Sequence, residues 1–106
     1  MAKFLMQASY TVEGVKGLIK DGGTGRMAAL RKAAASVGGK LETFYWTLGK
    51  DDAILICDLP DAESAAALSL TIAASGFAHT RTTRLLTAEE MDKAAGKAVK
   101  YRPPGK

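Results

Sequence analysis

Cysteine, histidine and proline are scarce in this chain, with one, one and three copies among 106 residues. The single cysteine, Cys57, excludes an intramolecular disulfide, and its apolar neighbours predict a buried thiol. One histidine and one cysteine without paired ligand spacing form no zinc signature. We therefore expect no metal and no cofactor.

Long hydrophobic runs are also missing. No stretch reaches the length that a membrane-spanning helix requires. Residues 1–7 lack the apolar run and small-residue cleavage site that are typical of a signal peptide. From these two observations we expect a cytoplasmic protein without a membrane partner.

Excess positive charge is confined to the end of the chain, although the net charge is +4. Five basic and no acidic residues lie from Lys93 onward, whereas residues 1–92 carry ten basic and eleven acidic side chains. A nucleic-acid-binding domain carries a basic stripe on its folded surface. The predicted strand over residues 53–59 also lacks the aromatic residues that stack on RNA bases. We expect no nucleic-acid partner, and we interpret residues 99–106 as a basic, frayed tail.

The composition is that of one globular domain, which we assign to residues 1–98. Apolar residues make up 47% of the chain and charged residues 25%, as in ordinary folded proteins. Alternating apolar and polar residues predict a strand over residues 3–10. A short helical turn is expected over residues 12–20, interrupted at Gly22, before a helix that Thr24 caps and that ends at Gly38.

The second half of the chain predicts three further strands and two further helices. Residues 41–48 and 53–59 predict two strands joined by a turn, and Asp61 is expected to cap a helix that ends at Gly76. A fourth strand follows over residues 77–85. Thr87 and Glu90 have capping-box spacing and predict a last helix as far as residue 98.

This order predicts an α+β fold, a ferredoxin-like βαββαβ antiparallel sheet with helices on one face plus a C-terminal helix. The helices leave the other face of the sheet uncovered. That face mixes aromatic, aliphatic and polar residues, which makes it a candidate interface. It is solvated, covered by the last helix, or paired with another subunit.

Several segments together resemble the GYD-domain family. They are Phe4–Thr11, Glu13–Leu18, Gly38–Glu42 and Asp58–Asp61. The family is similar in fold to dimeric α+β barrel proteins, in which two ferredoxin-like sheets pack face to face, so the resemblance implies a homodimer or a higher oligomer. Its naming motif has tyrosine before aspartate, whereas this sequence has Asp51 before Asp52. We therefore carry over no catalytic residue.

Five residues are candidates for binding a ligand: Tyr10, Tyr45, Trp46, His79 and Arg81. The aromatic residues supply apolar rings with polar tips, which suit a ligand pocket but also dominate cores and dimer interfaces, and we favour a core or interface role for them. A histidine can act as a general base, and Arg81 can hold an anionic group. Residues 22–26 are rich in glycine and suit either an anion site or a flexible turn. Asp51 and Asp52 are expected in a solvated turn.

Two functions remain open at this point. The first is a homo-oligomeric binding or structural module of the GYD type that encloses a small organic molecule. The second is a cofactor-free oxygenase or isomerase with a cleft near His79 and Arg81, which rests on fold analogy. The second function requires His79 to face an enclosed cavity.

Overall fold

The computed structural model describes all 106 residues and contains four strands and three helices. They are β1 (Ala2–Tyr10), α1 (Val12–Ser36), β2 (Lys40–Trp46), β3 (Ala53–Leu59), α2 (Ala62–Ala74), β4 (Ala78–Leu85) and α3 (Ala88–Ala95). The strands form one antiparallel sheet in the order β2-β3-β1-β4. This arrangement confirms the predicted α+β, ferredoxin-like fold with an additional C-terminal helix.

The hydrophobic core lies between the sheet and the helices α1 and α2. Along β3 every second residue is buried, so Ala53, Leu55, Cys57 and Leu59 face the helices. Phe4, Met6 and Ala8 do the same from β1. Residues at the alternate positions point to the other side of the sheet, which we call the open face. The prediction that Cys57 is buried is confirmed.

Helix α1 is kinked at Gly22, where the sequence predicted an interruption between a short helical turn and a second helix. Gly22 has φ 75° and ψ 166°, a conformation that non-glycine residues rarely adopt. The prediction that Thr24 caps a new helix is wrong, because Thr24 lies inside α1. The cap at the beginning of α1 is Thr11, whose hydroxyl oxygen accepts a hydrogen bond from Gly14 N at 3.2 Å.

The first turn of α1 is fixed to the segment that leads into β4. Thr11 N donates to Phe77 O at 3.1 Å, and Thr11 Oγ1 donates to Gly76 O at 2.8 Å. A Cβ atom at Gly14 would collide with the Phe77 carbonyl oxygen. Glycine at position 14 is therefore what allows the helix to approach so closely.

The caps predicted for the other two helices are confirmed. Asp61 accepts a hydrogen bond from Ser64 N at 2.8 Å at the beginning of α2. At α3, Thr87 and Glu90 form a capping box, in which each side chain accepts a hydrogen bond from the other residue's backbone N–H. The last helix is shorter than predicted, since it ends at Ala95.

Helix α3 and the residues after it project from the body of the domain. No residue of α3 is buried, and residues 96–106 are all exposed. The radius of gyration is 16.9 Å, compared with about 13 Å for a compact domain of 100 residues. None of the three helices combines the length and apolar character needed to cross a membrane.

Candidate functional site

The five predicted ligand residues lie on opposite sides of the sheet and do not form one site. Tyr10 and Trp46 belong to the helix-covered side, whereas Tyr45, His79 and Arg81 lie on the open face. Because neighbouring residues of a strand point to opposite faces, Tyr45 and Trp46 cannot share a pocket on one side. A cleft that combines His79 with Trp46 is therefore excluded.

Tyr10 and Trp46 are tied into the core packing. Trp46 Nε1 donates to Tyr10 Oη at 3.2 Å, and the rings of Trp46 and Phe44 stack with centroids 4.4 Å apart. A Cβ atom at Gly23 would lie 3.4 Å from the Trp46 ring, so α1 passes directly over the indole. These contacts favour a structural role for both residues.

A small groove lies beside Tyr10, between α1 and the chain that precedes β4. Its volume is about 160 Å³, and its lining residues are Tyr10, Gly14, Gly17, Leu18, Asp21, Arg26 and Phe77. Arg26 and Asp21 form an ion pair at 3.6 Å in this lining. The groove presents mainly apolar surface, its one carboxylate is paired with Arg26, and Tyr10 Oη accepts the hydrogen bond from Trp46.

The middle of the open face is a row of four uncharged residues, one from each strand. Thr43 pairs with Ile56, Ile56 with Leu5, and Leu5 with Thr83. Ile56 and Leu5 are half-buried and Thr83 is exposed, and α3 makes no extensive contact with any of the four strands. We call this set the middle row.

Charged groups on one side of the middle row are paired with one another. Lys3 Nζ lies 2.9 Å from Glu42 Oε2 and 2.9 Å from Asp58 Oδ1. The hydrogen bond to Glu42, followed by that to Asp58, raises the pKa of Lys3 above its usual value. Lys3 therefore stays protonated and neutralises much of the local negative charge.

The other side of the middle row carries Tyr45, Ile54, Gln7 and Arg81 in register. Tyr45 is 65% exposed at one edge of the sheet. Arg81 lies on the opposite edge strand, three strand spacings away, which corresponds to about 14 Å. Tyr45 and Arg81 thus share the open face without contacting each other.

Asp51 lies in the β2–β3 loop and contacts side chains of both β1 and β4. Its Oδ2 accepts hydrogen bonds from Arg81 at 2.7 Å and from Gln7 Nε2 at 3.2 Å, and Ser9 Oγ lies 3.5 Å from Oδ1. The Asp51 side chain is only 15% exposed. The expectation of a solvated turn is wrong for this residue, because β1 and β4 supply its partners.

An open cleft of about 290 Å³ surrounds this cluster. We call it the polar cleft, and it is lined by Gln7, Ser9, Lys50, Asp51, His79, Thr80 and Arg81. His79 pairs with Ser9 in the β1–β4 ladder and is exposed. The single chain does not enclose His79, so it supplies no closed cavity for the oxygenase or isomerase alternative. We assign no catalytic role to His79 or Arg81.

Metal-ligating side chains are dispersed over the molecule, and no three of its His, Cys, Asp and Glu residues lie close enough to hold a metal ion. Cys57 is buried under the helices, and this burial, with a smaller contribution from Asp58, raises its pKa to about 11. The thiol is therefore protonated at neutral pH and is a poor nucleophile.

Sequence reasoning missed several residues of the open face, including Lys3, Gln7, Ser9 and Lys50. Each is an ordinary polar residue with no motif around it. The period-two pattern of β1 did place Gln7 and Ser9 on one side of the strand. Their link to Asp51 depends on strand register and on the path of the β2–β3 loop, which one sequence does not reveal.

Comparison with known proteins gives one match. The family model described as GYD domain matches residues 4–95, which extend from β1 to the last residue of α3. The chain belongs to the GYD domain family. Searches of curated proteins and of solved structures found no significant match. In this GYD domain, Asp51 stands where the family resemblance predicts tyrosine, and it serves as the acceptor that ties Arg81 to the β2–β3 loop.

Proposed function

We propose that this GYD domain is a cytoplasmic, homo-oligomeric binding or structural module. In the proposed assembly, the open faces of two subunits pack together and enclose a small organic molecule. The observation that carries the proposal is the middle row, an uncharged strip across all four strands, with which α3 makes no extensive contact. Exposed apolar surface with a polar rim is typical of protein interfaces.

The beginning of the last helix is bound to the helix-covered side of its own subunit. Arg84 pairs with Phe4 in the β1–β4 ladder and therefore points to the helix-covered side, where its guanidinium lies 5.8 Å from the Phe4 ring centroid. Glu90 of α3 binds Arg84 at 2.8 Å. This ion pair draws the beginning of α3 toward the helix-covered side, which supports a second subunit as the cover of the middle row.

The charges around the middle row also suit a second copy of the same face. Lys3 and Arg81 already have carboxylate partners within their own chain. Pairing two such faces leaves neither cation without a partner, which avoids the large cost of burying an isolated charge. A polyanionic partner that bound through Lys3 would have to compete with Asp58 and Glu42 for this cation.

The dimensions of the open face are compatible with a dimer. Four strands of seven to nine residues span about 25 Å by 19 Å, a projected area of roughly 500 Å². Side-chain relief makes the accessible area larger than the projection. The face therefore approaches the roughly 800 Å² per partner of a standard interface.

The proposal is tested by measuring the mass of the protein in solution with light scattering after size exclusion. The wild-type protein should have at least twice the chain mass of 11.1 kDa. Ile56→Asp places a charge in the centre of the middle row and should shift the mass to that of one chain. Ile19→Asp makes the same change at a residue of α1 that is 78% exposed and should leave the oligomer intact.

Circular dichroism of both variants establishes that they are folded. A folded wild-type monomer at high micromolar concentration would contradict the proposal. Equal masses for folded Ile56→Asp and wild type would show that the subunits associate through another surface.

A further inference from the structure

We infer that the polar cleft binds a small oxyanion, the carboxylate or phosphate group of a small organic molecule. The inference deepens the proposed function and rests on it for the wall that a second subunit adds. All the anion-binding groups, however, come from one chain.

Three side chains at the cleft have donor capacity that the chain itself does not use. The side chains of Lys50 and His79 form no hydrogen bond or ion pair with any other residue. Arg81 uses only one terminal nitrogen, which contacts Asp51. A guanidinium carries five N–H donors in a planar fork, and this geometry fits the oxygens of carboxylate and phosphate groups.

Asp51 is the one acidic group in the cleft, and it helps to position the guanidinium. It is ion-paired with Arg81 at 2.7 Å and also accepts a hydrogen bond from Gln7. Its charge is thus compensated within the cluster, so Lys50 gives the cleft a net positive charge. The ion pair also limits the freedom of an arginine side chain that is 60% exposed.

The lining of the cleft indicates the size and polarity of the ligand. None of its lining residues is hydrophobic, in contrast to the groove beside Tyr10, where apolar surface predominates. Charge-assisted hydrogen bonds are the strong contacts that such a lining can offer. A volume of about 290 Å³ is large enough for a small acid.

The inference is tested by titrating the full-length protein with succinate and, separately, with inorganic phosphate, while amide chemical shifts are recorded by NMR. Saturable shifts are expected at Gln7, Ser9, Lys50 and Thr80, with a dissociation constant of about 1–10 mM. Lys50→Gln is the principal variant, because Lys50 has no partner whose loss would affect folding. We expect it to weaken binding about fivefold, and Arg81→Gln about tenfold.

The controls are Lys32→Gln and Arg31→Gln, which make the same charge changes at exposed residues of α1 that form no ion pair. They should change the affinity less than twofold. Saturable binding of succinate alone would identify a carboxylate ligand, and binding of phosphate alone a phosphate-bearing one. The inference is overturned if neither anion binds saturably, or if Lys50→Gln and Arg81→Gln bind like the controls.

Measuring the solution mass on the same samples separates this inference from the proposed function. A monomer that binds the anion at Lys50 and Arg81 would contradict the proposed dimer and support the anion site. A dimer that binds neither anion would support the interface and contradict the anion site.

Discussion

The backbone N–H of Tyr10 donates a hydrogen bond to the carboxylate of Asp52, with 2.8 Å between Tyr10 N and Asp52 Oδ2. Asp52 N in turn donates to Ala8 O at 2.9 Å. These two bonds extend the contact of β1 from β3 to the β2–β3 loop, beyond the last ladder pair, Ala8 with Ala53. The neighbouring residue, Asp51, ties the same loop to β4. The adjacent carboxylates thus have separate structural partners.

Removing the Asp52 acceptor should destabilise the domain. Asp52→Ala leaves the half-buried N–H of Tyr10 without its partner, and we expect the free energy of unfolding to fall by about 1–2 kcal/mol. Asp52→Asn keeps an oxygen acceptor of the same shape and should cost less. Urea unfolding followed by circular dichroism measures both changes. Equal losses for the two variants would show that the negative charge, rather than the hydrogen bond, stabilises the loop.

Alanine substitutions at two glycines of α1 should have opposite effects on the stability of the domain. The methyl group of Gly14→Ala would overlap the Phe77 carbonyl oxygen, so we expect a loss of about 2 kcal/mol or more in unfolding free energy. At Gly17, an added Cβ atom would have no neighbour within 4 Å. Gly17→Ala should therefore stabilise the helix by up to about 1 kcal/mol. Thermal unfolding of the two variants tests the close approach of Gly14 to Phe77. A Gly14→Ala variant as stable as the wild type would refute it.

The elements of the fold were predictable because their signals are local. Alternation in β1, the cap at Asp61 and the capping box at Thr87 each involve residues within a few positions of one another. The error at Thr24 has a local cause as well. Gly22 is the residue with non-helical φ and ψ inside α1, so the second part of the helix begins before Thr24, and Thr24 does not occupy the cap position.

The candidate site was less predictable because its contacts are distant in the sequence. Asp51 meets Gln7 across 44 positions and Arg81 across 30, and only the strand order and register bring them together. Alternation within β2 was sufficient to place Tyr45 and Trp46 on opposite faces. It could not establish which face the helices cover, because both faces carry apolar residues.

Cys57 should be strongly protected from thiol reagents in the folded domain. Its side chain is fully buried, and burial raises its pKa to about 11 from an ordinary value of 9.0. We expect labelling at pH 8 to be at least about 100-fold slower than in 6 M guanidinium chloride, because both access and the thiolate fraction are reduced. The chain has no other cysteine, so the signal is specific. Rapid labelling in native buffer would mean that the sheet and helices separate readily.

The capping box of α3 should lose its stabilising effect at low pH, and the pH at which this occurs should depend on Arg84. The ion pair with Arg84 and the N–H of Thr87 lower the pKa of Glu90 to about 2 from an ordinary value of 4.5. A lowered pKa in the folded state means that the ionised form stabilises the helix at pH values above about 4.5, and that this contribution is lost as the pH falls toward 2. Carbon-detected NMR of the Glu90 carboxyl should show this midpoint.

Arg84→Gln should raise the Glu90 midpoint toward 4.5 without fully restoring it, because Thr87 N still donates to Glu90 Oε1 at 2.9 Å. Arg81→Gln is the matched control, since it removes the same charge from β4 but lies near Asp51 instead of α3. It should leave the Glu90 midpoint unchanged. If Arg84→Gln also leaves the midpoint unchanged, the ion pair does not hold α3. The proposed position of this helix, away from the open face, then loses its support.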